Sequence, residues 1–204
     1  MRAFFAVDLP DALAGPLADV QSAFDDASGV TLVDPGQAHV TLKFLGDVAE
    51  RGAGEEGGAN ESDESGTDAA DIDAVTAAGE RAVADADVDP FTCTVGGLGV
   101  FPSLEYISVV WAGIEAGSAD LTRLHESLEA ETTALGVDPE DHEFTPHVTL
   151  GRMRDARGKE LVQRAVRDRD PEVGSFTVRE VRLVESTLTA DGPVYETVET
   201  VELE

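Results

Sequence analysis

Hydrophobic and polar positions along the chain change their period several times, and each change marks an element. Residues 2–9 form an apolar run that predicts a buried strand, and residues 11–29 show a helical period before a glycine. Further helices are predicted at 73–87, 118–136 and 157–170. Further strands are predicted at 90–101, 104–114, 175–188 and 193–204. Helices and strands on both sides of the middle indicate an α+β protein.

One tetrapeptide, His-Val-Thr-Leu, occurs twice, at residues 39–42 and 147–150, and uses two of only four histidines. A chance second copy of a given tetrapeptide is expected on the order of once in a thousand such chains. Each half of the element order carries one copy. We therefore predict two similar lobes, with antiparallel or mixed sheets flanked by helices and a cleft between the lobes.

Side-chain alternation divides the repeated tetrapeptide into two pairs. In a strand, His39 and Thr41 share one face, while Val40 and Leu42 share the other. The second copy repeats this arrangement. The aliphatic pair is expected to pack into the lobe, and the imidazole and hydroxyl to face a site. An ordinary solvated face is the alternative, but solvent-facing positions have no reason to repeat their identity.

The net charge of the chain bears on which binding partners are expected. The chain of 204 residues has 42 acidic and 14 basic residues, a net charge of −28, and only two lysines. Such repulsion destabilises a compact chain in dilute buffer, but at molar salt the Debye length is about 3 Å. The composition resembles that of proteins from salt-accumulating halophiles. It argues against a broad nucleic-acid footprint, although a small local positive site can override it.

The domain organisation follows from composition. Residues 51–73 hold eight acidic residues and almost nothing to bury, which predicts a flexible acidic insertion at about 51–71 inside a single bilobal domain spanning 1–204. The one cysteine, Cys93, excludes an internal disulfide and is expected to be buried. No apolar run approaches the roughly 20 residues of a membrane span, and the start does not fit a signal peptide. A cytoplasmic protein is expected.

Two imidazoles and two hydroxyls around one point suit a phosphodiester. One histidine can deprotonate an attacking water or alcohol while the other protonates the departing oxygen, and both titrate near neutral pH. The threonine hydroxyls can donate hydrogen bonds to the non-bridging oxygens. The scheme requires no metal or cofactor, and the histidines lack the spacing of metal ligands.

Five segments of the chain carry a family resemblance: RAFFAVDLP, HVTLKFLGDV, GLGVFPS, VVWAGI and FTPHVTLGR. They resemble the 2H phosphoesterase superfamily and, within it, the RNA 2′,3′-cyclic phosphodiesterases, also called 2′-5′ RNA ligases, of a halophilic archaeal type. The resemblance implies pseudo-twofold symmetry and a cleft lined by both motifs. It also implies hydrolysis of an RNA 2′,3′-cyclic phosphate end to a 2′-phosphomonoester, with 2′-5′ ligation as the related transfer.

The resemblance also implies roles for the motif residues. His39 and His147 would be the acid and base, and Thr41 and Thr149 would bind phosphate. We favour His147 as the base for water and His39 as the acid, although the symmetric motifs leave this open.

Two basic residues are further candidates for phosphate binding. Arg152 matches a basic position of the family; strict alternation places it opposite His147, unless a bulge at Gly151 re-aims it, and a surface salt bridge is the alternative. Lys43 shares parity with His39 and would add positive potential; a plain exposed lysine is the alternative. Three other residues are expected to have mainly structural or inert roles: Phe101, His125 and His142.

The expected partner is RNA with a 2′,3′-cyclic phosphate end or a small cyclic nucleotide, bound by a monomer with no membrane contact. Two alternative functions stay open. One is hydrolysis of another small cyclic phosphate, such as ADP-ribose cyclic phosphate. The other is a module that binds RNA ends without turnover, although binding alone does not need two titratable imidazoles.

Overall fold

The computed structural model describes residues 1–49, 70–189 and 192–204, and the predicted acidic insertion lies almost entirely outside them. The strands in this part of the chain are β1 (Arg2–Asp8), β2 (Val30–Leu32), β3 (His39–Asp47), β4 (Phe91–Pro102), β5 (Ile107–Ala116), β6 (His147–Met153), β7 (Glu172–Val178), β8 (Glu180–Thr189) and β9 (Gly192–Glu202). The α-helices are α1 (Ala14–Gln21), α2 (Ile72–Ala86), α3 (Ser118–Thr133) and α4 (Lys159–Asp168). None of these helices has the length and apolar content needed to span a membrane.

The strands form one sheet in the order β7-β4-β5-β6-β3-β1-β8-β9, with β2 beside β6. Every pairing between these strands is antiparallel. The predicted α+β class is therefore confirmed. The sequence left an antiparallel and a mixed sheet open, and the sheet is antiparallel.

The two motif strands are neighbours at the middle of the sheet, where Val40 lies opposite Val148. Apart from β2, this pair divides the sheet into two halves of four strands, one running from β6 to β7 and the other from β3 to β9. Helices α2 and α3 pack mainly against the β3 half, and α1 and α4 pack against the β6 half. The two lobes are thus halves of a continuous sheet related by an approximate twofold axis between these valines.

Side-chain alternation in the motifs agrees with the prediction for the first four residues of each. Val40, Leu42, Val148 and Leu150 are at most 1 % exposed and belong to the main core, which extends through both halves. The histidines and threonines are half-buried on the other face. Burial of the aliphatic pairs therefore anchors both motif strands, at about 1.5–3 kcal/mol per fully buried side chain.

The prediction of one strand over 175–188 is wrong, because this range contains parts of two strands that lie in opposite halves of the sheet. β7 pairs with β4, whereas β8 pairs with β1. The buried positions Val178 and Val181 differ in parity, with the polar residues Arg179 and Glu180 between them. This parity change was the signal that the chain crosses from one half to the other.

Candidate active site

Each motif histidine is held by a carbonyl two residues before it. Nδ1 of His39 lies 2.9 Å from the Gln37 carbonyl oxygen, and Nδ1 of His147 lies 2.7 Å from that of Thr145. Because a carbonyl oxygen only accepts, Nδ1 carries the hydrogen in both rings. Nε2 is thus left as the nitrogen that accepts a proton in the neutral ring and donates one in the charged ring.

Aromatic rings flank His39. The centroid of Phe4 lies 5.0 Å from the imidazole, and Tyr195 meets it edge-on at 5.1 Å. These rings come from β1 and β9, so no pattern local to the motif could have predicted them. They pack against the imidazole and limit its rotation.

His147 has equivalent neighbours from the other half of the sheet. Phe101 meets its ring edge-on at 4.9 Å, and the Trp111 centroid lies at 6.0 Å. A Cβ at Gly99 would lie 2.1 Å from the indole, so the absence of a side chain there lets Trp111 lie against β4. Phe101, expected mainly in the core, is a wall of the site.

Burial lowers the pKa of both histidines below the ordinary 6.5. The carbonyl hydrogen bonds raise both pKa values in part, and the positive charge of Arg152 lowers both. The pKa of His39 is also raised by Asp8, and that of His147 is also lowered by the charge of His39. Lowered pKa values favour the neutral form of both rings near pH 7, and the effect of the His39 charge on His147 places the two rings close to each other.

The threonine hydroxyls are free to bind an anion. Thr41 and Thr149 are half-buried on the histidine face, and within the described part of the chain neither side chain has a hydrogen-bond partner. A partly buried hydroxyl without a partner favours a ligand that accepts hydrogen bonds.

A β-bulge follows the threonine of each motif. The side chains after the bulge therefore point to the opposite face from the one that strict alternation predicts. On β3, Thr41 and Lys43 lie opposite consecutive residues of β1, so Leu42 is the extra residue. On β6, Thr149 and Gly151 lie opposite consecutive residues of β5, so Leu150 is the extra residue. Strict alternation therefore fails at the same point in both copies.

The prediction that Lys43 faces a bound phosphate is wrong, because the bulge turns it to the helix side. The Lys43 side chain is fully buried. Its Nζ lies 2.5 Å from the Glu129 carboxylate and donates to the Asp138 carbonyl at 2.8 Å.

Arg152 lies on the same face as His147, because the bulge changes the alternation, as in one of the two predicted alternatives. Its side chain is exposed on the histidine face, where its charge acts on His39, His147 and Tyr195. No carboxylate of the described residues forms an ion pair with it. Gly151 suits this geometry, since a Cβ there would lie 2.9 Å from Val30 on β2. The site thus combines an unpaired guanidinium with two imidazoles and two hydroxyls.

A cavity of about 750 Å³ opens beside His39. Its wall includes Phe4, Tyr195 and the ion pair in which Arg182 donates to Asp8 at 2.7 Å. A cavity with aromatic walls and both donors and acceptors suits a nucleoside in size and chemistry.

The remaining candidates lie apart from this site. His142 is exposed, and Cys93 is buried, which raises the pKa of its thiol to about 11. Among the described residues, no group of three or more histidine, cysteine or acidic side chains is placed to hold a metal ion.

Comparisons with known proteins agree with this architecture. The profile of the 2′-5′ RNA ligase superfamily matches residues 9–189. A relative from Aeropyrum pernix named RNA 2′,3′-cyclic phosphodiesterase is 35 % identical over 81 % of each chain. A relative of the same name from Methanothermobacter thermautotrophicus is 34 % identical over 96 % of this chain and 95 % of its own.

Solved structures share the fold. A protein from Thermus thermophilus superposes with a TM-score of 0.74 at 29 % identity, covering 100 % of this chain and 98 % of its own. E. coli LigT superposes with a TM-score of 0.70 at 22 % identity, covering 99 % of this chain and 97 % of its own. With a profile match over most of its length and relatives above 30 % identity, the chain belongs to the 2′-5′ RNA ligase superfamily.

Proposed function

We propose that this protein hydrolyses 2′,3′-cyclic phosphate ends of RNA to 2′-phosphomonoesters. One observation carries the proposal: two imidazoles with free Nε2 atoms share a face with two unpaired hydroxyls and an unpaired guanidinium. An anion with a scissile ester bond is what such a set can bind and cleave. The names of the two archaeal relatives, RNA 2′,3′-cyclic phosphodiesterase, agree with it.

In the proposed reaction, His147 is the base and His39 the acid. Nε2 of His147 takes a proton from water as the water oxygen bonds to phosphorus. The bond between phosphorus and the 3′ oxygen then breaks, and Nε2 of His39 gives its proton to that oxygen. The product carries a 2′-phosphate and a free 3′-hydroxyl. If a 5′-hydroxyl attacks in place of water, the same steps form a 2′-5′ linkage.

The position of the cavity supports this assignment of roles. The 3′ oxygen stays on the terminal nucleoside, so the acid must lie on the nucleoside side. The nucleoside-sized cavity opens beside His39, not beside His147. Thr41, Thr149 and Arg152 are proposed to bind the non-bridging oxygens, where charge grows in the transition state.

The test is an assay on a short RNA with a 2′,3′-cyclic phosphate end, in molar KCl with EDTA present. We expect a product with a 2′-phosphate and a free 3′-hydroxyl. Cleavage of ADP-ribose cyclic phosphate but not of the RNA would show that the proposed substrate is wrong and would leave the two-histidine mechanism in place. Binding of the 2′-phosphate product without any turnover would favour a module that only binds RNA ends, and would contradict the proposed activity.

The pH dependence follows from the lowered pKa values of the two histidines. The productive pair has one neutral and one protonated ring, and this state is most populated midway between the two pKa values. Both pKa values lie below 6.5 in the free protein. We therefore expect kcat/KM, measured at constant ionic strength, to be bell-shaped with its maximum below pH 6.5. A maximum above pH 7 would contradict the ionisation states proposed here.

Replacing Arg152 by methionine should have two effects. Loss of a charge-assisted hydrogen bond to phosphate, at an exposed position, should lower kcat/KM about tenfold. Loss of the cation should also raise both histidine pKa values and move the kcat/KM maximum to higher pH. Arg154→Met removes another exposed arginine, which affects neither histidine, and is the control. An unchanged maximum in Arg152→Met would exclude Arg152 from the site.

We also propose that the chain is of a halophilic archaeal type and works in the cytoplasm as a monomeric single domain over residues 1–204. The net charge of −28 with two lysines supports adaptation to high salt. Transfer from molar KCl to dilute buffer should unfold the protein, as followed by circular dichroism. A folded, active protein in dilute buffer would contradict this part of the proposal.

A further inference from the structure

Four polar or charged side chains are buried among the described residues: Gln21, Lys43, His125 and Thr132. Burying such groups costs free energy unless they are hydrogen-bonded, so the partners show what each group does. Thr132 bonds only within its own helix, to the Leu128 carbonyl. The other three all contact a motif strand or belong to one.

Gln21 and His125 make equivalent contacts in the two halves. Nε2 of Gln21, at the end of α1, donates to the Leu150 carbonyl at 3.0 Å and to the Val33 carbonyl at 2.8 Å. Nδ1 of His125, on α3, lies 2.7 Å from the Leu42 carbonyl and donates to it, since that oxygen only accepts.

Both acceptors are the extra residues of the two bulges. Leu42 and Leu150 are the positions at which β3 and β6 lose the register of their neighbours. Helix α1 precedes β3 in the chain but bonds the bulge of β6, and α3 precedes β6 but bonds the bulge of β3. The bulge on β6 turns Arg152 to the histidine face. A side-chain donor on a bulge carbonyl therefore fixes a local backbone geometry on which the site depends.

His125 has a second contact, with the segment that leads into the other motif. Its ring stacks on Phe144 with a centroid distance of 4.1 Å and an interplanar angle of 8°. The next residue, Thr145, supplies the carbonyl that orients His147. One buried imidazole thus contacts the first motif directly and the support of the second through a stacked ring.

We infer that Gln21 and His125 are positioning residues that hold the two bulges and so align the histidines, threonines and Arg152 across the sheet. Neither side chain touches the reacting atoms. The inference rests on the proposed function for its kinetic effect, since misplacement by about 1 Å can cost a factor of a hundred in rate. The effect on histidine geometry does not depend on which substrate is cleaved.

The kinetic test compares variants well below their unfolding temperatures in molar KCl. His125→Leu should lower kcat tenfold to a hundredfold with KM within threefold, and Gln21→Met should lower kcat about tenfold. His125→Asn keeps a donor near the position of Nδ1 and should recover kcat to within threefold of wild type. Thr132→Val is the matched control, because it removes a buried hydroxyl from the same helix without touching a motif.

A second measurement is independent of activity. The ¹⁵N chemical shifts of the imidazoles should show the Nδ1–H tautomer for His39 and His147 in wild type, and a mixture of tautomers for His147 in His125→Leu. If the wild-type protein hydrolyses no cyclic phosphate, the proposed function is wrong, and the positioning roles of Gln21 and His125 are then tested by the spectra alone. Unchanged tautomers would then overturn the inference. In an active protein, a kcat loss in His125→Leu no larger than in Thr132→Val overturns it. If His125→Leu does not fold, Gln21→Met decides by the same criterion.

Discussion

Replacing either His39 or His147 by alanine should lower kcat for cyclic phosphate hydrolysis by a factor of about a hundred to ten thousand at the pH optimum. Each Nδ1 is held by a carbonyl, so each ring presents only Nε2 to the reaction. The two roles belong to one proton-transfer cycle, so the double variant should be little slower than the slower single variant.

KM separates a chemical role from a binding role. A histidine that only binds phosphate would raise KM and leave kcat largely unchanged, whereas an acid or base should lower kcat with a small change in KM. His142→Ala is the matched control, since that histidine is exposed and lies outside the site. If either motif variant keeps kcat within tenfold of wild type, the two-histidine mechanism is wrong.

Roles for the first four residues of each motif could be predicted because strand alternation is a local rule. Val40 and Leu42 are buried, and His39 and Thr41 share the opposite face, as the alternation predicts. The duplication carried further information, since it predicted two related halves. It could not show that β3 and β6 pair with each other, because a strand's sequence does not name its neighbour.

The two bulges explain why strand alternation failed to predict the faces of the residues that follow each motif. They lie at Leu42 and Leu150, and neither position differs in type from an ordinary strand residue. Lys43 was therefore placed on the wrong face, and Arg152 was predicted to face His147 only through a bulge at Gly151. The donors that satisfy the bulge carbonyls lie on helices far away in sequence, as do the rings that flank the histidines. Contacts of this kind are set by tertiary packing, and no local pattern predicts them.

The buried position of Lys43 leads to the second large effect, which is on stability. Glu129→Leu should lower the free energy of unfolding by about 3 kcal/mol, because it leaves the Lys43 ammonium buried without a countercharge. The value is at the low end of the range for buried pairs, since the Glu129 side chain is 24 % exposed and partly screened by water. In a chain of this size, the unfolding temperature should fall by roughly 6–12 °C.

Lys43→Met should lower the free energy of unfolding by less, about 1 kcal/mol, because the charge that it leaves unpaired belongs to the partly exposed Glu129 and not to the fully buried Lys43. Methionine fills a similar volume without a charge. In the Glu129 carboxylate that remains, Oε1 keeps the hydrogen bond from the Glu140 amide, and the side chain, which is 24 % exposed, can rotate to bring the buried Oε2 to water. The double variant Lys43→Met/Glu129→Leu should therefore recover most of the stability lost in Glu129→Leu. Thermal unfolding in molar KCl measures all three variants, and the high salt keeps long-range repulsion from masking the difference. Equal losses in the two single variants would mean that the ion pair stabilises the fold as a pair. A large loss in Glu129→Leu alone would mean that the carboxylate is needed because the bulge at Leu42 forces the lysine inward.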